Sequence, residues 1–187
     1  MTVLVPLSFP AGGGSTDLDR SVADAVHRHV GADAYPALVL ASNGPVVVAL
    51  LLTAVAWFAC RRRWWSAATM FVVPESTLAI NAALLKPLWD RPLADYLAYP
   101  SGHTVHLVAV ATTFVLLTDS TRARFGVALA TALILAAVTI GMIGLGYHHL
   151  TDVLGGTAAA VALSIALCWV AARIRDRTDR PGSAAPS

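Results

Sequence analysis

A chain of 187 residues that is 57% hydrophobic and only 13% charged, with a net charge of +2 and a mean hydropathy of +0.67, is too apolar for an ordinary soluble domain. The positive charges are few and scattered, and no basic run is interleaved with aromatics, which argues against a nucleic-acid partner. What remains is one small membrane-embedded domain over residues 1–187.

Met1 to Pro10 has no basic segment leading into a continuous apolar run and reads as a poor signal peptide. Gly12 to Gly14, and Arg180 to Ser187 at the other end, read as flexible tails. Between Asp17 and Val30, the residues Leu18, Val22, Ala25, Val26 and Val30 fall on one helical stripe with charges opposite. That pattern predicts an interfacial amphipathic helix within an N-terminal extracytoplasmic segment, 1–34. At about 20 residues per crossing, five apolar spans follow near 43–60, 66–85, 102–118, 125–146 and 152–172. In the first, Asn43 can cap and Pro45 suits the first turn. The expected fold is therefore an all-α membrane bundle of about five transmembrane helices over 43–172, preceded by the interfacial helix and followed by a cytoplasmic tail, 173–187.

Orientation comes from the arginines. Arg61, Arg62 and Arg63 follow the first span, Arg122 and Arg124 the third, and Arg173, Arg175, Arg177 and Arg180 the fifth. Alternate loops thus collect nine of the thirteen positive charges and should be cytoplasmic. Cys60 and Cys168 lie near those ends, in a reducing compartment, where a disulfide is not expected. The N-terminal segment, the loop from Lys86 to His103 and the turn from His148 to Asp152 fall on the opposite, extracytoplasmic face of a multi-pass cell-membrane protein.

Three polar clusters converge there. Lys86, Arg91 and Pro92 follow the second span, on the face that the positive-inside rule depletes of cations, so an anionic ligand explains them better than topology does. Pro100-Ser101-Gly102-His103 opens the third span. Ser101 is a natural N-cap and Gly102 admits a ligand to the backbone, so a phosphate could rest on the helix start. His148 and Asp152 are four residues apart, which puts them on one helix face if the fifth span begins that early. A carboxylate on one ring nitrogen leaves the other nucleophilic. Each cluster alone has an ordinary reading as an interfacial anchor, a helix cap or a chance pair.

Together and in order, the clusters resemble the type 2 phosphatidic acid phosphatase superfamily, with its pattern Lys-x6-Arg-Pro, Pro-Ser-Gly-His and Ser-Arg-x5-His-x3-Asp. The likeness runs from about Lys86 to Gly156 and implies a lipid phosphatase. By that resemblance His148 is the nucleophile that forms a phosphohistidine, Asp152 orients it, and His103 protonates the leaving group. Lys86, Arg91, Ser101 and the Gly102 amide would hold the phosphoryl oxygens. No metal or other cofactor is implied. The implied partners are the bilayer and a membrane lipid phosphate, a polyprenyl phosphate or diphosphate or a phosphatidate-like lipid, and association with a second copy of the chain is left open. A non-catalytic member that binds lipid phosphate headgroups or assists a membrane assembly is the competing reading. A small transporter fits less well, because the polar residues gather at one face.

Two departures stand out. Arg91 follows Lys86 with four intervening residues instead of six, and Leu93 occupies the family register. Gly141-Met142 replaces the Ser-Arg pair, removing a guanidinium whose charge-assisted hydrogen bond is worth about 1.5–3 kcal/mol. His106, one turn past His103, could supply some of that charge or could be bonded within the bundle. His149 is expected at the interface. Glu75, after Pro74 in the second span, should face the bundle interior, as a structural hydrogen-bonding group or as part of a substrate channel.

Overall fold

The computed structural model describes residues 5–10 and 12–179, so the expected tail Arg180 to Ser187 lies outside the described residues. The first regular helix, α1 (Asp17–His29), starts on a capping box. Thr16 Oγ1 accepts the Asp19 N–H at 3.1 Å and Asp19 Oδ2 accepts the Thr16 N–H at 3.0 Å. Its apolar stripe is only partly where an interfacial helix would leave it. Leu18 stays exposed, whereas Val22, Ala23, Val26 and Val30 pack on Tyr35 and Ile143. Gly13 and Gly14, read from sequence as a flexible tail, have carbonyls fixed by hydrogen bonds from Arg91.

The short α2 (Tyr35–Val39) leads into α3 (Gly44–Cys60), which begins after Asn43 with Pro45 in its first turn, although the Asn43 side chain makes no capping bond. Then come α4 (Trp64–Ile80), α5 (Lys86–Trp89), α6 (Gly102–Leu117), α7 (Thr121–Gly144) and α8 (Leu150–Thr178). Four helical stretches, Ala32–Cys60, Trp64–Trp89, Thr121–Gly144 and Leu150–Thr178, are long and apolar enough to cross a membrane. The third expected span is different. At 16 residues α6 is about 24 Å long, short of the roughly 30 Å hydrocarbon core. It packs against α3, α4, α7 and α8 and is buried from Thr104 to Val110. A helix enclosed by its neighbours does not meet the lipid on all sides and need not match its thickness.

The bundle has two chemically distinct ends. Arg63 Nη1 pairs with Asp119 Oδ2 at 2.9 Å and Nη2 donates to Leu117 O, joining the α3–α4 turn to the α6–α7 turn. Arg61, Arg62, Arg63, Arg122, Arg124, Arg173, Arg175 and Arg177 flank the helix ends on that side, while Lys86 and Arg91 lie at the other. At the other end the helical register of α4 loosens into one π-helical stretch, Asn81–Leu85, which re-aims the chain just before Lys86. Sequence patterning did not reveal the next feature, an antiparallel hairpin of β1 (Pro92–Leu93) and β2 (Tyr96–Leu97) that pairs Pro92 with Leu97 and turns at Ala94, φ 52°. The hairpin and the Pro100–Ser101 loop lie over the start of α8. Gly155 makes this possible, because a Cβ there would come within 2.1 Å of the Tyr99 ring.

Candidate active site

Ser101 caps α6 as expected, accepting the Thr104 N–H at 3.5 Å, and its own N–H donates to Asp152 O at 3.1 Å. That second bond ties the Pro-Ser-Gly-His loop to the first turn of α8. Across it, the His103 and His148 rings stand 6.1 Å apart between centroids, inclined at 71°. They border a cavity of about 300 Å³, also lined by Lys86, Tyr96, Gly102, His106, Ser42, Gly44 and Leu78. Lys86 donates through Nζ to Leu97 O, and its Cε lies 4.0 Å from where a Cβ on Gly102 would stand. One ammonium, a helix N-terminus and imidazoles therefore surround one space, a suitable setting for an anion.

His148 and Asp152 meet, but not on one helix face. α8 begins at Leu150, so His148 lies in the turn before it while Asp152 is third in the helix. His148 Nδ1 is 3.7 Å from Asp152 Oδ2, longer than a hydrogen bond, and this buried nitrogen has no hydrogen-bond partner. Asp152 Oδ2 accepts the His149 N–H at 2.8 Å and Oδ1 accepts from Arg91 Nη1 at 2.7 Å. The ordering of His148 comes from ring packing, with Tyr96 on one side, 6.1 Å between centroids. Burial, followed by the charge of Asp152, raises the Tyr96 phenol above its ordinary value, so it stays a donor, here to Tyr147 O.

Arg91 departs from its expected role. Sequence order suggests a phosphate-binding guanidinium; the structure buries it completely and engages all five N–H donors. Nε donates to Gly13 O at 2.9 Å, Nη1 to Thr151 Oγ1 and Asp152 Oδ1 at 2.7 Å each, and Nη2 to Gly14 O at 2.9 Å and Asp19 Oδ2 at 3.1 Å. The Phe9 ring lies 3.9 Å from the guanidinium carbon. No donor is left for a phosphoryl oxygen. The physical reason is the set of acceptors around it, the Gly13 and Gly14 carbonyls, the Thr151 hydroxyl and the Asp19 and Asp152 carboxylates, which lie at and beside the start of α8. Ser101 is likewise corrected. Its hydroxyl is fully buried, bonded by Thr104 Oγ1 at 3.2 Å and directed at Met142 Sδ at 4.0 Å, and it does not line the cavity.

Asp19 belongs to the same cluster and was invisible to sequence reasoning. Its Oδ1 accepts the Thr151 N–H at 2.9 Å and its Oδ2 accepts the Thr151 hydroxyl at 2.9 Å as well as Arg91. Burial alone would raise its carboxyl, but the N–H groups of Thr151 and Thr16, the Thr151 hydroxyl and Arg91 outweigh it and hold the carboxyl below its ordinary value. The only local signal was a T-x-x-D capping box, which accounts for one oxygen and says nothing of a partner 132 residues away. Glu75 also gains a partner. His106 Nε2 stands 3.0 Å from Glu75 Oε1, so His106 is bonded within the bundle while also reaching the cavity wall. Among the described residues, no group of three or more His, Cys, Asp or Glu is placed to hold a metal ion.

The membrane-length helices and the two facing histidines define a helical membrane protein with a cavity bordered by His103, His148 and Lys86 at one end of its bundle. The model of the PAP2 superfamily matches residues 82–176, and the chain belongs to that superfamily. The fold is similar to the crystal structure of a transmembrane PAP2-type phosphatidylglycerolphosphate phosphatase from Bacillus subtilis, with a TM-score of 0.74 at 18% identity over 92% of this chain and 93% of that one. Among curated proteins, none matches significantly by sequence.

Proposed function

We propose that this protein is a lipid phosphatase that cleaves a phosphomonoester or diphosphate of a membrane lipid on the extracytoplasmic face, without a metal, through a phosphohistidine. The observation that carries the reading is the pair His148 and His103 facing each other across a cavity edged by Lys86 and the start of α6. His148 turns Nδ1 toward Asp152, leaving Nε2 to attack phosphorus. As the N–P bond forms, the bond to the leaving oxygen breaks and His103 delivers a proton to that oxygen. Asp152 then meets a cationic imidazole, and the 3.7 Å gap closes to a charge-assisted hydrogen bond as charge develops. Water, deprotonated by His103, attacks the phosphohistidine and releases phosphate. Lys86 and the Gly102 amide offset the negative charge on the transferring group.

The pocket supports a lipid substrate because it sits at the end of membrane-length helices, where a headgroup can enter while its tails stay in the bilayer. The Bacillus subtilis protein of the same fold acts on phosphatidylglycerolphosphate, which supports a glycerolipid phosphate; a polyprenyl phosphate or diphosphate fits the same chemistry. The arginines at the opposite end support the extracytoplasmic side. Met142, with its thioether against Ser101 where a family guanidinium would stand, favours one second reading, a weakly active or non-catalytic binder of lipid phosphate headgroups. Phosphate release from a panel of lipid phosphates separates the two. We expect release that survives EDTA, is blocked by vanadate and disappears in His148→Ala. Activity lost to EDTA and restored by a divalent ion overturns the mechanism, and binding without release by a folded parent protein selects the second reading.

A further inference from the structure

Asp19 is an expensive residue to bury. It is 2% exposed and belongs to a three-charge cluster with Arg91 and Asp152, and desolvating such a group is repaid only by strong local bonding. Its two oxygens accept one backbone N–H each, from Thr16 and Thr151, and those bonds need acceptors at both positions but not by themselves a buried ion pair. The charge acts on Arg91. One guanidinium is divided between two carboxylates, and the cluster of three carries one net negative charge beside His148. The other ionisable groups that line the cavity with this imidazole are His103, Tyr96, Lys86 and His106, the last bonded to Glu75. Were Asp19 neutral, Arg91 would draw on Asp152 alone, and the carboxylate facing Nδ1 would be compensated.

We propose that Asp19, carried on the N-terminal helix, is a positioning residue for phosphoryl transfer. Its carboxylate holds the start of α8 through Thr151 and takes half of Arg91, so that Asp152 keeps a charged oxygen directed at His148. α1 is thereby part of the active site's support, pressed into place by Val22 and Val26 on the end of α7. This rests on the phosphohistidine reading above, because it assigns Asp19 to the nucleophile's partner.

The test compares full-length parent, Asp19→Asn and Thr151→Val in detergent. Asp19→Asn is expected to lower kcat at least tenfold with KM within about twofold, at a pH where the folded fraction of both is complete by thermal scan; Asp19→Glu should recover part of kcat. A second readout is independent of turnover. The rate of His148 carbethoxylation by diethylpyrocarbonate, followed by mass spectrometry, should fall at least threefold in Asp19→Asn relative to His103 in the same sample. Parental kcat and parental His148 reactivity in a folded Asp19→Asn protein, or a loss confined to KM, overturns the proposal. If Asp19→Asn does not fold, Thr151→Val removes the hydroxyl that Asp19 and Arg91 share while leaving their direct bond, and must show smaller losses of kcat and His148 reactivity in the same direction; parental values overturn the proposal. A parent without turnover whose His148 still loses reactivity in Asp19→Asn refutes the phosphatase reading and leaves the positioning role standing.

Discussion

Replacing Arg91 with alanine separates a support role from a substrate role more sharply than any other single change. The side chain is fully buried, and its removal deletes five hydrogen bonds and leaves two carboxylates, Asp19 and Asp152, buried without their common cation. Breaking a buried ion pair from one side costs about 3–5 kcal/mol. That is a large part of the roughly 5–15 kcal/mol that holds an average domain together. At about 2–4 °C per kcal/mol for a chain of this size, Arg91→Ala should lower the melting temperature by about 10 °C. An arginine that reached into solvent to hold substrate would behave oppositely, with stability within about 0.5 kcal/mol of the parent and a raised KM. Thermal scanning by intrinsic fluorescence suits a chain with five tryptophans. Arg91→Lys should fall between, since an ammonium restores the charge but cannot supply the planar five-donor fork. A folded Arg91→Ala protein that melts within about 2 °C of the parent and shows its defect in KM would refute the burial argument.

Much of the bundle was legible because lipid imposes a coarse rule: about 20 apolar residues, a helix, and arginines at the ends. Spans 43–60 and 66–85 needed nothing else. α6 obeyed a different constraint, enclosure by α3, α4, α7 and α8, and no hydropathy window distinguishes an enclosed helix from a lipid-facing one. Geometry was legible where it follows local order, as at Ser101, which caps α6, and the His103 and His148 rings border one cavity. It was illegible where a bond spans the chain. Arg91 carried the right residue type for a phosphate ligand, and only the position of the Gly13 and Gly14 carbonyls and of Asp19 shows that its donors are consumed. Glu75 and His106 each read as able to bond inside the bundle, but not with each other, because their pairing depends on how α4 and α6 cross.

Two further expectations concern sidedness and Met142. A cysteine introduced at Asp95, in the hairpin beside the cavity, should react with an impermeant thiol reagent in intact cells while one introduced at Asp179 should not; the reverse pattern would move the site to the cytoplasm. Met142→Arg tests the missing guanidinium, and the structure adds a cost to it. Met142 is 1% exposed among Val39, Val138 and Val153, so an unpaired arginine there should destabilise the empty protein by about 3–5 kcal/mol. A charge-assisted bond to a bound phosphoryl oxygen returns about 1.5–3 kcal/mol of this. The empty variant should therefore melt well below the parent, and vanadate or phosphate should stabilise it more than they stabilise the parent, with affinity tighter by about 10-fold or more. A destabilised Met142→Arg protein that anions do not rescue would mean that the side chain cannot reach the cavity past Ser101, or that His106 already fills the place. Unchanged anion affinity in His106→Ala would eliminate the second cause and leave the buried Ser101–Met142 contact as the wall of the pocket.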